Sequence, residues 1–190
     1  MSVVRKAWLD ALAATLDEDA LVVASLGANA RYMPHLPIRA AHFALCDAMG
    51  AAIPLALGMA LAKPSRPVVA LEGDGSLTMN LGTLATVAAA RPANLTILLF
   101  DNRHYESSGG QALPGTTDTD GPMVDFVAVA RASRIPVAAR LEVVVDLAPA
   151  LARATGPAFY VLPTAYDPHE PIPPYSERPD EICVNFARRM

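Results

Sequence analysis

"VVALEGDGSLTMNLGT" (residues 68–83) opens as an unbroken apolar run and closes on a helical pattern, with an acid held between two glycines at the change. A short apolar run without polar alternation marks a strand buried on both faces, and such strands belong to parallel sheets covered by helices. The same strand-then-helix pattern repeats outward. Upstream, Val3 to Leu16 has helical spacing, and "LVVAS" (21–25) is a short strand ending in the turn-forming "GAN". "HFALC" (42–46) is a second strand, and Ala51 to Ala62 is a small-residue helix that accommodates Pro54 in its first turn. Downstream, Leu77 to Ala90 reads as a helix, "LTILLF" (95–100) as a buried strand and "MVDFVAVARAS" (123–133) as a helix. "IPVAARL" (135–141), a helix over Glu142 to Ala154, and "AFYVL" (158–162) complete the series. The alternation predicts a doubly wound α/β fold, a parallel sheet with helices on both faces, as a single domain over residues 1–165. Prolines at 163, 168, 171, 173, 174 and 179 then mark a Pro-rich C-terminal tail over 166–190, expected to run extended and to wrap over the domain or a neighbour.

Composition bounds the partners. A chain of 190 residues with 53% hydrophobic and 18% charged residues has enough apolar material for one sizeable core. The net charge of −4, a pI near 5.5 and the absence of any basic run argue against nucleic acid and anionic membranes. The longest apolar stretch, "AMGAAIPLALGMALA" (48–62), is too short to cross a bilayer and is interrupted by Pro54 and two glycines. The opening residues carry amphipathic spacing without the apolar core of a signal peptide, and Cys46 and Cys183 read as reduced thiols, so a cytoplasmic location is expected.

Asp74 is the residue that carries chemistry. In open parallel sheets ligands lie beyond the carboxyl ends of the strands, and Asp74 sits just past "VVALE". The next strand runs the same way and ends at "DN", so Asn102 arrives at the same edge after about one βαβ unit. Gly73 and Gly75 allow close backbone approach by a bulky anion, and the helix starting near Ser76 turns free N–H groups toward it. A carboxylate and an amide oxygen beside an anion suit Mg²⁺, which takes few protein ligands and shares phosphate oxygens. "GDG" by itself is equally a helix cap flanked by turn glycines. An EF-hand is excluded, because the sixth position from Asp74 is Met79 and the twelfth is Ala85; a dinucleotide fingerprint fails at Thr78.

The pairing of "GDGS" with an Asn-terminated strand resembles the thiamine diphosphate motif. That resemblance implies that Asp74, the Asn102 side chain and the His104 backbone carbonyl hold Mg²⁺ against the cofactor diphosphate, with Asp101 standing where the family usually has a first Asn. Upstream, "CDAMGAAIPLALGMALAKPSRPVVALEGDGSL" is similar to the decarboxylase members of the family, and Met49 falls where they place the apolar residue beneath the bent cofactor. "ASLGANAR" (24–31) resembles the segment in which Ser25 and Gly27 meet the diphosphate end. Gly73, Gly75, Ser76 and Tyr105 are implied cofactor neighbours. His42 is the one candidate for a catalytic side chain on this chain. "LGTLATVAAARPANLTILLFDNRHYESSGGQ" resembles sulfopyruvate and phosphonopyruvate decarboxylases down to the "ESxGGQ" loop, whose Gly109 and Gly110 would let it close over substrate.

The family's catalytic glutamate comes from a separate pyrimidine-binding domain, which these residues do not contain. The resemblance therefore implies the diphosphate-binding, or beta, subunit of a split 2-oxo acid decarboxylase. It would be inactive without a pyrimidine-binding alpha subunit in a hetero-oligomer, with the cofactor as electron sink. Arg31, Arg103 and His104 could meet a sulfonate or phosphonate. Two alternatives remain: a subunit of an acetolactate synthase-like carboligase, or a non-catalytic cofactor-binding module. The second is suggested by "DAMG", where relatives have "GSMG" and Asp47 adds a carboxylate.

Overall fold

The computed structural model describes residues 3–114 and 124–190. Six parallel strands form the sheet: β1 (Leu21–Ala24), β2 (Ala41–Ala44), β3 (Val68–Gly73), β4 (Leu95–Asp101), β7 (Val137–Arg140) and β8 (Ala158–Pro163). They lie in the order β2-β1-β3-β4-β8-β7. Two short strands, β5 (His104–Tyr105) and β6 (Gln111–Ala112), pair antiparallel as a separate hairpin after β4. Successive side chains of each strand enter opposite layers, as the two-residue period requires. Leu21, Val23, Val68, Ala70, Ile97 and Leu99 pack under α3 (Ala52–Ala62), α5 (Thr83–Ala90) and α6 (Phe126–Ala132). Val22, Val69, Leu71, Leu98 and Phe100 face α1 (Arg5–Thr15), α2 (Ala28–Tyr32) and α7 (Leu147–Arg153). Trp8 of α1 is fully buried there and donates through Nε1 to the Pro163 carbonyl at 3.2 Å. The expected doubly wound α/β sheet is the observed one.

Several elements differ from expectation, among them α2 and the β5–β6 hairpin, which the sequence did not announce. The helix expected over 77–90 is two pieces, α4 (Asp74–Thr78) and α5, because Asn80 turns its amide to the Gly50 carbonyl (2.8 Å) and Gly82 follows in the connecting turn. The helix expected over 142–154 starts only at Leu147, since the β-branched run Val143–Val145 favours extended backbone and a single 3₁₀ turn. The tail is extended only to Arg178; α8 (Pro179–Ala187) follows, started by Pro179 in its first turn and by the Arg178 N–H donating to Glu181 at 2.8 Å. Ile182 and Phe186 of α8 pack on the β2 edge, Phe186 meeting the Phe43 ring edge-on at 5.5 Å. Met123, where the helix over 123–133 was to begin, lies outside the described residues; α6 starts at Phe126, with Asp125 accepting from the Ala128 N–H.

The strand order reverses between β1 and β3: β2 lies on one side of β1, and the chain then returns to build β3 and β4 on the other. The crevice beyond the carboxyl ends of β1 and β3 is where doubly wound sheets bind ligands.

Candidate functional site

A cleft opens at that crevice. The turn after β1 contributes Ser25 and Gly27, the turn before α3 contributes Met49, and the β3–α4 junction contributes Gly73, Asp74, Gly75 and Ser76. The segment after β4 adds Asn102, His104 and Tyr105. Ten positions singled out from the sequence thus line one cavity.

Asp74 is the first residue of α4, not its cap; Gly73 occupies the cap position. Its carboxylate is 2% exposed and accepts the Gly75 N–H at 2.7 Å and the Arg103 N–H. Arg103 adopts φ 62°, a left-handed backbone uncommon outside glycine, and this turns its N–H toward Asp74. Burial, with the Asp101 charge adding to it, pushes the Asp74 carboxyl up to about 7. Among the described residues no Lys or Arg side chain pairs with it, whereas Asp101 is paired with Arg140 at 3.0 Å. Asn102 accepts the His104 N–H at Oδ1 (3.0 Å) and donates through Nδ2 to Glu106 (3.1 Å). The His104 ring bonds the Asn102 carbonyl (2.8 Å) and stacks on Tyr166, centroids 3.8 Å apart.

The cleft walls are fitted closely. A Cβ on Gly75 would fall 2.6 Å from the Tyr105 ring, so only glycine lets that ring lie against α4. Gly50, at φ 70°, donates its N–H to Ser76 Oγ (2.8 Å), and its carbonyl takes the Asn80 amide, which fixes the turn presenting Met49. Because α4 has only five residues, its contribution to an anion is individual N–H groups with little macrodipole.

The structure does not bring His42 to this cleft. It lies on β2, packed toward α8, with Nε2 3.9 Å from Glu177, and burial lowers its pKa. Arg31 is engaged by the tail: it donates to the Ile172 and Pro173 carbonyls and lies over the Tyr175 ring at 5.8 Å. Asp47 is exposed to solvent and does not line the cleft. The "ESSGGQ" segment is folded as the β5–β6 hairpin, with Gly110 (φ 75°) against the Tyr166 hydroxyl.

Sequence reasoning missed four residues at the site. Arg5, Asn29 and Glu106 line the cleft, and Glu72 is fully buried beneath it, its carboxyl raised by burial. Polar residues inside an otherwise apolar strand or helix start were the available signal.

The family described as "Thiamine pyrophosphate enzyme, C-terminal TPP binding domain" matches residues 24–162. This chain belongs to that family. Among curated relatives, phosphonopyruvate decarboxylase of Streptomyces viridochromogenes is 43% identical over 150 residues, which are 79% of this chain and 36% of that protein. Sulfopyruvate decarboxylase subunit beta of Methanothermobacter thermautotrophicus is 42% identical over 113 residues, 60% of this chain and 57% of that one. The chain therefore spans about a third of the first relative and just over half of the second. The crystal structure of benzoylformate decarboxylase from Polynucleobacter necessarius shares the fold, with TM-score 0.65 and 23% identity over 87% of this chain and 34% of that one. The cofactor for which the TPP-binding family is named is thiamine diphosphate. No helix among the described residues is long and apolar enough to cross a membrane.

Proposed function

We propose that this chain is the diphosphate-binding half of a thiamine diphosphate- and Mg²⁺-dependent 2-oxo acid decarboxylase of the phosphonopyruvate or sulfopyruvate type. A pyrimidine-binding subunit supplies the glutamate and completes the active site. The observation that carries the proposal is the meeting of Asp74 and Asn102, from the ends of adjacent strands, in one cleft that also holds Ser25, Gly27 and Met49. The relatives named above support the reaction class.

The donor set fits the metal. Asp74 offers a buried carboxylate whose pKa burial and the neighbouring Asp101 raise, Asn102 offers Oδ1 and His104 its carbonyl; all are hard oxygens of the kind Mg²⁺ prefers. Gly27, Gly75 and Ser76 would meet the diphosphate, and Met49 and Tyr105 the rings; all five line the cleft. Bound thiamine diphosphate supplies the electron sink that decarboxylation of a 2-oxo acid requires. The chain's own residues anchor, orient and shield it. His42 has no part in this assignment, because α8 and Glu177 hold it at the sheet edge.

Isothermal titration of the purified chain with thiamine diphosphate, with and without Mg²⁺, tests the anchor: binding is expected only with Mg²⁺ and is expected to vanish in Asp74→Ala. CO₂ release from phosphonopyruvate and sulfopyruvate tests the reaction. The chain alone is expected to be inactive, and activity to appear on mixing with a pyrimidine-binding subunit that carries the glutamate. Turnover by the chain alone would sink the split-site reading.

A further inference from the structure

An asparagine side chain is nearly symmetrical in shape, so a site that needs its oxygen must also fix which end faces the ligand. Asn102 is fixed from both ends. The His104 N–H can only donate, and it takes Oδ1; the Glu106 carboxylate can only accept, and it takes Nδ2. Reversing the amide would set oxygen against oxygen and N–H against N–H. Glu106 is in turn held by Arg5, the first residue of α1, whose Nη2 meets the same oxygen Oε2 that binds Asn102. Arg5 is 4% exposed although it is a cation near the start of the chain. It also donates to Asn29 of α2 at 3.2 Å and lies 3.6 Å from Glu170 in the tail, which accepts the Tyr32 hydroxyl at 2.9 Å.

We propose that Arg5 and Glu106 are positioning residues for Asn102: Arg5 clasps Glu106, and Glu106 holds the Asn102 amide with its oxygen toward the Mg²⁺ site. This rests on the metal-bridged diphosphate reading above. Arg5 lines the edge of the cleft, and its positioning role runs through Glu106, which it holds. Groups that orient a metal ligand in this way typically change metal affinity by about 10- to 100-fold when removed. Because Arg5 also grips α2 and the tail, the clasp ties both ends of the chain to the metal ligand.

The test separates metal affinity from cofactor affinity. Calorimetry of the full chain gives the Mg²⁺ concentration for half-maximal thiamine diphosphate binding, and separately the cofactor affinity at saturating Mg²⁺. In Glu106→Ala the half-saturating Mg²⁺ concentration is expected to rise at least tenfold, while cofactor affinity at saturating Mg²⁺ stays within about twofold. Arg5→Met should shift the Mg²⁺ requirement the same way, and Arg5→Lys, which keeps the charge, should recover part of it. A Mg²⁺ requirement unchanged in Glu106→Ala overturns the clasp while leaving the site reading intact. Parallel loss of both affinities also overturns it, since that marks general damage to the cleft. A wild-type chain that shows no Mg²⁺-dependent binding removes the site reading itself and the clasp with it.

Discussion

Asp74 resists ionisation in its buried setting. Its carboxyl stands at about 7 in the folded chain against 3.8 in an unfolded one, so between those values the folded state holds a proton that the unfolded state has released. Stability of the metal-free chain should therefore fall as pH rises through that interval, because the unfolded state gains from ionisation what the folded state cannot. Buried Glu72 and half-buried Glu106, also raised by burial, act with the same sign. His42, lowered by burial, acts oppositely: its folded form resists the proton, and its contribution is lost as pH falls below 6.5. Thermal melts without divalent ions, across the pH range spanned by the Asp74 values, should show a smaller pH dependence in Asp74→Asn than in wild type. Equal slopes would mean that Asp74 titrates normally. Mg²⁺ with thiamine diphosphate should remove the same part of the wild-type slope. At this scale the sequence was readable for Asp74, Asn102 and Met49, which keep fixed positions relative to strand ends. It was silent about Arg5, Glu106 and Glu170, which meet only through tertiary folding, and it could not show that His42 faces Glu177 and α8, far along the chain, and not the cleft.

At the scale of elements, the turns decide the geometry of the cleft. Asn80 sits in the break between α4 and α5, and its amide holds the Gly50 carbonyl on the turn that carries Met49. Asn80→Ala should cost about 1 kcal/mol of stability, roughly 2–4 °C in Tm for a domain of this size. Cofactor affinity should weaken with it, because Met49 loses its fixed position. Differential scanning calorimetry paired with cofactor titration checks both, and an unchanged affinity would deny Met49 a role. Asn94 secures the far end of the same layer, with Nδ2 within hydrogen-bond reach of the Ala60, Lys63 and Arg66 carbonyls (3.3, 3.0 and 2.7 Å). Asn94→Ala should cost about 2 kcal/mol without altering cofactor binding, since those carbonyls lie at the amino ends of β3 and β4. The six strands of the main sheet were read to within a residue or two because each is a short apolar run between turn residues, whereas β5 and β6 were not read at all. Helix limits were read less well: the break at Asn80 depends on a partner thirty positions away, at Gly50, and α8 was masked by the prolines before it.

For the whole molecule, the tail is the feature that composition described least. From β8 it passes Tyr166 over His104, Glu170 beside Arg5 and Tyr32, and Pro173 against Arg31. It then brings the Tyr175 hydroxyl to the Gly27 N–H (3.1 Å) before α8 covers β2. Removing residues 166–190 should lower Tm by at least several degrees and expose the sheet edge to protease. A truncated chain with wild-type Tm and protease resistance would reduce the tail to decoration. At its other end the chain is tied in as well, through the Val3–Thr164 bridge and the burial of Trp8 and Arg5. This has a consequence for biosynthesis. A ribosome adding about 5–20 residues per second has released the strands bearing Asp74 and Asn102 several seconds before Glu170 and Tyr175 emerge. A nascent chain can thus build most of the sheet and pair Arg5 with Glu106 before Glu170 emerges to join Arg5 and Tyr32. A chain cleaved before residue 170 would keep Asp74 and Asn102 but lose the Glu170 and Tyr175 contacts that back the cleft.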